Sequence, residues 1–457
     1  MSRAAAEDAA VVAKIQNLRM ADPLLDWPEH AAQEWTEEEA DMFYDSCGGW
    51  EPPRRHQTVA APVQLVSRHP HGSEQEPEPE PESCPRVFAW SDIHVDYGEN
   101  WRCCQGVSAT EYQNDVLILA GDVSDDMAKL RETFELFKQK FAEVFFVPGN
   151  HDLWIRPGRW KVAPQQPLGG AAPPLPDNSL AKLQQILDLC RELGVHTSPR
   201  AFGPGGRLAI VPLFAWYHRG FDTEPEITGW QGIPPIEEAM MDYQLVKFPS
   251  STIGAANGDE SAARYFDLLN ERRDGELLPD AAVAASATCK AGDATSLSSL
   301  SSSPWDSVVQ MCRTAVEQGG AVISFSHFLP RIELLPEKRF LFLPTLAHAV
   351  GSRYLQQRVE ELRSSLHVFG HTHFGWDATV DGVRYVQAAL CYPQERSMRA
   401  KSIAIGPKPG VGQQPLGVWD GTALLPYQRV AYWSTYYATH ERTPENTNDL
   451  APYVARA

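Results

Sequence analysis

His371 and His373 flank a single residue, Thr372, where the apolar run of VFGHTHF (368–374) ends. On an extended strand residues i and i+2 point to the same face, so two such imidazoles can converge on one cation. An HxH pair also arises on ordinary polar strand faces, and its meaning depends on how other strands end. RVFAW (86–90) runs into Ser91-Asp92-Ile93-His94, and DVLILA (115–120) into Gly121-Asp122. EVFFV (143–147) runs through Pro148 into Gly149-Asn150-His151-Asp152, and AVISF (321–325) runs through Ser326 into His327. HVF (367–369) runs into Gly370 and the HxH itself. Ligands of layered α/β folds sit outside the carboxyl ends of the strands. The pattern therefore predicts Asp92, His94, Asp122, Asn150, His327, His371 and His373 around one pocket, as a distributed metal cage. Taken singly, Asp122 and Asn150 also suit Gly-Asp and Gly-Asn turns, and His327 also suits a satisfied core histidine. His218, His348 and His367 read as structural.

Those exits need elements to position them. The runs above, with RLAIVPLF (207–214) and VRYVQAAL (383–390), read as strands buried on both faces. Helical spacing follows Ser124, an expected N-cap, through Met127, Leu130, Phe134, Phe137 and Phe141. It recurs from Leu180 to Leu193 before Gly194, an expected left-handed terminator, and over 305–318 and 352–364. Such alternation of strands and helices predicts an α/β layered domain. We place that domain at 85–435, with an insertion over 215–304, and a C-terminal tail at 436–457. Residues 1–67 read as a helical appendage. The tract 68–84, with its EPEPEPE core, reads as an acidic linker, and 281–303 as a disordered loop.

A net charge of −19 would repel polyanions, which argues against broad nucleic-acid or anionic-membrane binding. No apolar run is long enough for a transmembrane helix. The N-terminal MSRAAAEDAA is a poor signal or transit peptide, because Glu7 and Asp8 interrupt it. The 8 cysteines have irregular spacing and no CxxC, as expected of reduced thiols in a cytoplasmic protein. A metal would therefore be held by His, Asp and Asn.

The ordered series D-x-H, GD, GNHD, a lone His and GHxH resembles the calcineurin-like metallophosphoesterases over roughly 86–392. Within that superfamily it looks like a plant- and algal-type form with the SHFLPR, FGHTHF and RYVQAALCYPQER segments at 326–331, 369–374 and 384–396. The resemblance implies two mixed β-sheets packed as a sandwich flanked by helices. It also implies two divalent metal ions. Asp92, His94, Asp122 and His373 would hold one; Asp122, Asn150, His327 and His371 would hold the other, with Asp122 as the bridge. It further implies that His151 assists the leaving group or contacts the phosphoryl group, with Asp152 orienting the imidazole.

The chemistry fits such a set. Phosphate esters are anionic and repel nucleophiles, so hydrolysis needs cationic clamps and a hydroxide available at neutral pH. Two metals about 3.5–4 Å apart supply both. Two dications outweigh the two carboxylates Asp92 and Asp122, so the pocket attracts phosphate despite the acidic chain. Mixed N/O ligation suits Mn, Fe or Zn. Ser/Thr protein phosphatases of the superfamily carry GDxVDRG and an arginine before GNHE, whereas here the segments are GDVSDD and VPGNHD. The expected substrate is accordingly a small phosphate ester, cleaved as a monoester or a diester. A non-catalytic scaffold and a nuclease are the alternatives. The aromatic and arginine-bearing stretch 215–232 could stack or grip a substrate, or pack locally. Arg331 and Arg396 are weaker candidates for a phosphate clamp.

Overall fold

A computed structural model describes residues 84–156, 176–250, 252–253, 260–272, 277, 303–398, 414–426 and 431–451. The expected appendage, nearly all of the acidic linker and the loop at 281–302 lie outside the described residues, as do 452–457 of the tail.

The strands are β1 (Val87–Trp90), β2 (Val116–Ala120), β3 (Glu143–Val147), β4 (Arg200–Phe202), β5 (Leu208–Pro212), β6 (Ala321–Phe325), β7 (Leu366–Phe369), β8 (Trp376–Val380), β9 (Val383–Gln387) and β10 (Leu416–Trp419). They form two mixed sheets, ordered β10-β1-β2-β3 and β4-β5-β6-β7-β9-β8. β1, β2 and β3 run parallel, with β10 antiparallel at the edge. In the larger sheet β5, β6, β7 and β9 run parallel between the antiparallel edges β4 and β8.

Side-chain alternation explains how two sheets and their helices share one chain. Val87, Ala89, Ile118, Phe145 and Val147 of the smaller sheet join Ile210, Ile323, Phe325, Val368 and Val386 of the larger in one core between them. The Phe145 and Phe325 rings meet across that gap at 6.3 Å between centroids. The alternate residues Trp90, Leu117, Leu119, Val144 and Phe146 face the other way, into a second core with Leu130, Phe134 and Phe137 of the helix Met127–Lys140. Strands covered on both faces are largely apolar, and β2, β5, β6 and β7 are buried at every position, with the polar Ser324 and His367 hydrogen-bonded to each other.

The helices Ser179–Leu193, Pro304–Glu317 and Arg353–Glu361 fall where their spacing predicts. Gly194 terminates the first in the left-handed region at φ 67°. The start after β2 differs by two residues: Asp126 caps Met127–Lys140 by accepting from Ala128 N and Lys129 N. Ser124 instead accepts from Asp126 N and donates to Asp96, so it shapes the approach to the cap. Cys84, Cys103, Cys104, Cys190, Cys312 and Cys391 are free thiols.

The sheets come together just beyond the carboxyl ends of β1 and β9, where Ser91 and Ala389 form a parallel bridge. Leu390 N donates to Ser91 O at 3.0 Å, and Cys391 N to Asp92 O at 3.0 Å. That seam is the floor of the site.

Candidate metal centre

Asp92, His94, Asp122, Asn150, His327, His371 and His373 all lie in one pocket, and none is more than 2% exposed. They converge in two groups. In the first, His94 Nε2 faces His373 Nε2 at 3.1 Å and Asp122 Oδ2 at 3.9 Å, while His373 Nε2 lies 3.4 Å from Asp92 Oδ1. One ligand atom from each of Asp92, His94, Asp122 and His373 falls within 4.8 Å of every other. In the second, Asn150 Oδ1 is 3.0 Å from both His327 Nε2 and His371 Nδ1, and His327 Nε2 is 3.5 Å from Asp122 Oδ1. Asp122 thus turns one oxygen to each group.

The backbone that aims these side chains is unusual. Asp92 (φ 49°), His94 (37°), Asp122 (54°), His371 (76°) and His373 (56°) all occupy the left-handed region, which non-glycine residues rarely visit. Neighbouring glycines let the loops close. A Cβ on Gly149 would lie 2.1 Å from Asp122 Oδ1, and one on Gly121 2.4 Å from His327 Nδ1. One on Gly370 would lie 2.8 Å from Asp92 Oδ2.

Each of three histidines is fixed from behind, which assigns its tautomer and leaves the other nitrogen for a ligand. His327 Nδ1 meets Ala120 O at 3.0 Å, His371 Nε2 meets Ala349 O at 2.9 Å, and His373 Nδ1 meets Glu395 Oε2 at 2.6 Å. Asn150 is fixed likewise: its Nδ2 donates to Asp242 Oδ1 at 2.8 Å, so its Oδ1 faces the histidines.

The electrostatics fit a cation. Asp92 Oδ2 is buried with no hydrogen-bond donor. Burial, then the charges of Asp152 and Asp92, push the Asp122 carboxyl well above its ordinary pKa. Burial also pulls His94 down to about 3 and His371 well below the usual value. On His373 burial pulls down too, but Glu395 and Asp92 outweigh it and hold the imidazole at about 10. Buried carboxylates beside the uncharged His94 and His371 imidazoles, with His373 able to give up its proton to a cation, form a donor set that a divalent ion suits and that the protein compensates only in part without one.

His151 enters the same pocket, with Nε2 3.8 Å from Asp122 Oδ2. Its ring stacks on Trp154 at 3.5 Å between centroids, and Tyr392 OH lies 3.2 Å from Nε2. Asp152, expected to orient this imidazole, has its carboxylate oxygens on backbone donors. Asp152 accepts from four backbone N–H groups, those of Asp122, Val123, Ser124 and Gly149, at 2.8–3.0 Å. Both its oxygens are taken up in clamping the GD loop to the GNHD loop. Burial lifts its pKa to about 6 against those hydrogen bonds.

Other residues singled out by the sequence resolve plainly. His367 is a structural histidine between Ser324 Oγ at 2.8 Å and Ser326 Oγ at 3.0 Å. In the 215–232 stretch Trp216, Tyr217 and Phe221 are buried packing residues, and Arg219 pairs with Glu237. Arg331 pairs with Glu333 and Asp381, and Arg396 donates to Asn100 Oδ1, Leu390 O and Cys391 O. Both arginines therefore brace loops. Sequence reasoning missed Glu395, Asp242 and Tyr392. Tyr392 and Glu395 carried a signal, lying in the same YPQER segment as Arg396, and Asp242 carried none.

Comparisons with known proteins match part of this chain. Residues 85–238 match the family model of the calcineurin-like phosphoesterases. Over 158 residues the chain is 29% identical to the [acyl-carrier-protein] phosphodiesterase PptH of Mycobacterium tuberculosis, covering 34% of this chain and 44% of that relative. The chain therefore matches less than half of that relative's length. The crystal structure of phosphopantetheinyl hydrolase (PptH) from the same organism superposes with a TM-score of 0.42 at 20% identity, covering 74% of this chain and 96% of that one. No helix among the described residues is long and apolar enough to cross a membrane. Residues 85–238, the span that matches the calcineurin-like phosphoesterase model, carry Asp92, His94, Asp122 and Asn150 of the candidate centre.

Proposed function

We propose that this chain hydrolyses a phosphate ester with two divalent metal ions, one held by Asp92, His94, Asp122 and His373 and the other by Asp122, Asn150, His327 and His371. The observation that carries the reading is the pair of inward-facing donor groups sharing Asp122, whose two oxygens lie 3.9 Å from His94 Nε2 and 3.5 Å from His327 Nε2. Mn, Fe or Zn bound there would neutralise phosphoryl oxygens and make a hydroxide nucleophile available at neutral pH.

The chain's own residues supply the rest. Asp152 holds the two loops in register, and Asp242 and Glu395 fix the faces that Asn150 and His373 present. His151 delivers a proton to the departing oxygen from Nε2. Burial, then the neighbouring histidines, depress its pKa well below the ordinary value. An anionic phosphate seated beside it would raise that pKa again.

A small-molecule phosphodiester is the favoured substrate, because the curated relative is named a phosphodiesterase. The net charge of −19 weighs against a nucleic acid. The test is reconstitution of purified protein with Mn²⁺, Zn²⁺ or Fe²⁺. Elemental analysis would be paired with hydrolysis of aryl and alkyl phosphomonoesters, phosphodiesters and a phosphopantetheinylated carrier protein. Two metals per chain with ester hydrolysis is the expected result. Full metal loading with no hydrolysis of any ester would mean a non-catalytic scaffold, and failure to load metal would overturn the reading.

A further inference from the structure

We propose that Tyr392 is the positioning residue for the His151 imidazole and marks the side of the pocket from which the leaving group departs. The inference rests on the reading of His151 as proton donor to that group. Tyr392 OH lies 3.2 Å from His151 Nε2, the nitrogen that faces Asp122 Oδ2 at 3.8 Å. This nitrogen is therefore the one that can reach a phosphoryl oxygen seated on the centre. Trp154 stacks on the face of the ring and His94 packs against it, while the tyrosine hydroxyl is placed at the nitrogen itself and fixes where Nε2 points.

The tyrosine is itself built in. It is 1% exposed, and its ring lies 4.4 Å from that of His94 and 5.3 Å from that of Tyr97. Its backbone N–H donates to Glu395 Oε2 at 3.0 Å, the oxygen that also fixes His373. Cys391, just before it, is left-handed at φ 63°. Asn100 Nδ2 at 2.8 Å and Arg396 Nη1 at 2.9 Å hold its carbonyl. A strained turn held from both sides aims one hydroxyl at one nitrogen.

In the step itself the P–O bond to the leaving oxygen breaks and its electron pair goes to that oxygen. The Nε2 proton follows, while a water-derived oxygen has bonded to phosphorus. Tyr392 keeps its proton throughout and passes its hydrogen bond between the imidazole and the departing oxygen.

The test compares Tyr392→Phe, His151→Ala and the double variant on an alkyl ester and on an aryl ester of an acidic phenol, with metal content measured for each. An alkoxide needs a proton on departure and an acidic phenolate does not. His151→Ala should lose about 10²–10⁴-fold on the alkyl ester and little on the aryl ester. Tyr392→Phe should keep its metals and lose about 3- to 10-fold on the alkyl ester, the range of one hydrogen bond. On the aryl ester it should lose less than about 2-fold. The double variant should be no worse than His151→Ala, because the tyrosine acts only through the imidazole. Equal losses on both esters in Tyr392→Phe, or losses that multiply in the double variant, would overturn the inference. If His151→Ala itself shows no leaving-group preference, the reading of His151 fails first and the inference goes with it.

Discussion

Replacing Asp242 with alanine should empty one half of the metal centre and spare the other. Asp242 belongs to the segment inserted between β5 and β6 and is fully buried. Its Oδ1 accepts from Asn150 Nδ2 at 2.8 Å and from Trp154 Nε1 at 2.6 Å. Alanine leaves two buried donors without that acceptor, at about 1–3 kcal/mol each. The sum, about 2–6 kcal/mol, is a large fraction of a domain's usual ~5–15 kcal/mol stability. With the amide released, Asn150 can present its NH₂ instead of its oxygen toward His327 and His371. Losing a partner that orients a metal ligand typically weakens binding about 10–100-fold. Titration of metal-free protein with Zn²⁺ against a competing chelator should show that loss at one site, with the Asp92, His94 and His373 site nearly unchanged. Asp242→Asn keeps an acceptor oxygen and should recover most of the lost affinity if the hydrogen bond matters more than the charge. Equal weakening of both sites in folded Asp242→Ala, or no weakening at either, would refute the assignment.

Three further outcomes are expected. Gly149→Ala should abolish metal binding at both sites by elemental analysis, since its Cβ would lie 2.1 Å from Asp122 Oδ1 and 2.7 Å from the His327 ring. Asp152→Asn should lower the melting temperature and slow aryl and alkyl esters alike, because an amide nitrogen cannot accept from backbone N–H groups; loss confined to the alkyl ester would restore the orienting role. Burial depresses His367 from 6.5 to about 3, so the unfolded chain binds its proton first and stability falls as pH drops from about 6 toward 3. The slope is about 1.4 kcal/mol per pH unit for one group, and His367→Gln should flatten this limb in denaturant titrations at a series of pH values.

The readable and unreadable parts of this molecule divide along physical lines. Strands buried on both faces are largely apolar, so β2, β5, β6 and β7 stand out, and the polar residues ending them stand out by contrast. The edge strands β4 (RAF), β8 (WDATV) and β10 (LGVW) are short or partly exposed and carry no such run. β10 returns from far along the chain to pair with β1, which no local pattern announces. Candidate ligands could be named because each directly follows a strand. Asp242 and Glu395, on short helices, act on those ligands, and Tyr392 acts on His151, from segments that only tertiary folding brings near. Asp152 illustrates the reverse case. Its place beside His151 in sequence suggested contact, yet the 3₁₀ turn His151–Leu153 sends it back under the loops to meet four N–H groups.

The left-handed residues explain why so much of the surrounding structure is spent on clamps. Five candidate ligands occupy this region, and each such conformation costs on the order of 1–3 kcal/mol. Left alone, the loops would relax and the side chains would splay from the centre. The reason to keep the strain is directional. A chain leaving a strand in an extended conformation carries its side chains away from the sheet edge, whereas a left-handed turn folds the next side chain back over the strand end. Several strand ends treated this way give several side chains meeting at one point. Interactions made elsewhere offset the strain: the four N–H groups on Asp152, the carbonyls behind His327 and His371, and the Glu395 carboxylate behind His373. A fold with only a core to maintain has no use for left-handed histidines held this tightly. Under the proposed two-metal reading, cations gripped at fixed positions would require that the ligands not move when a phosphate ester arrives.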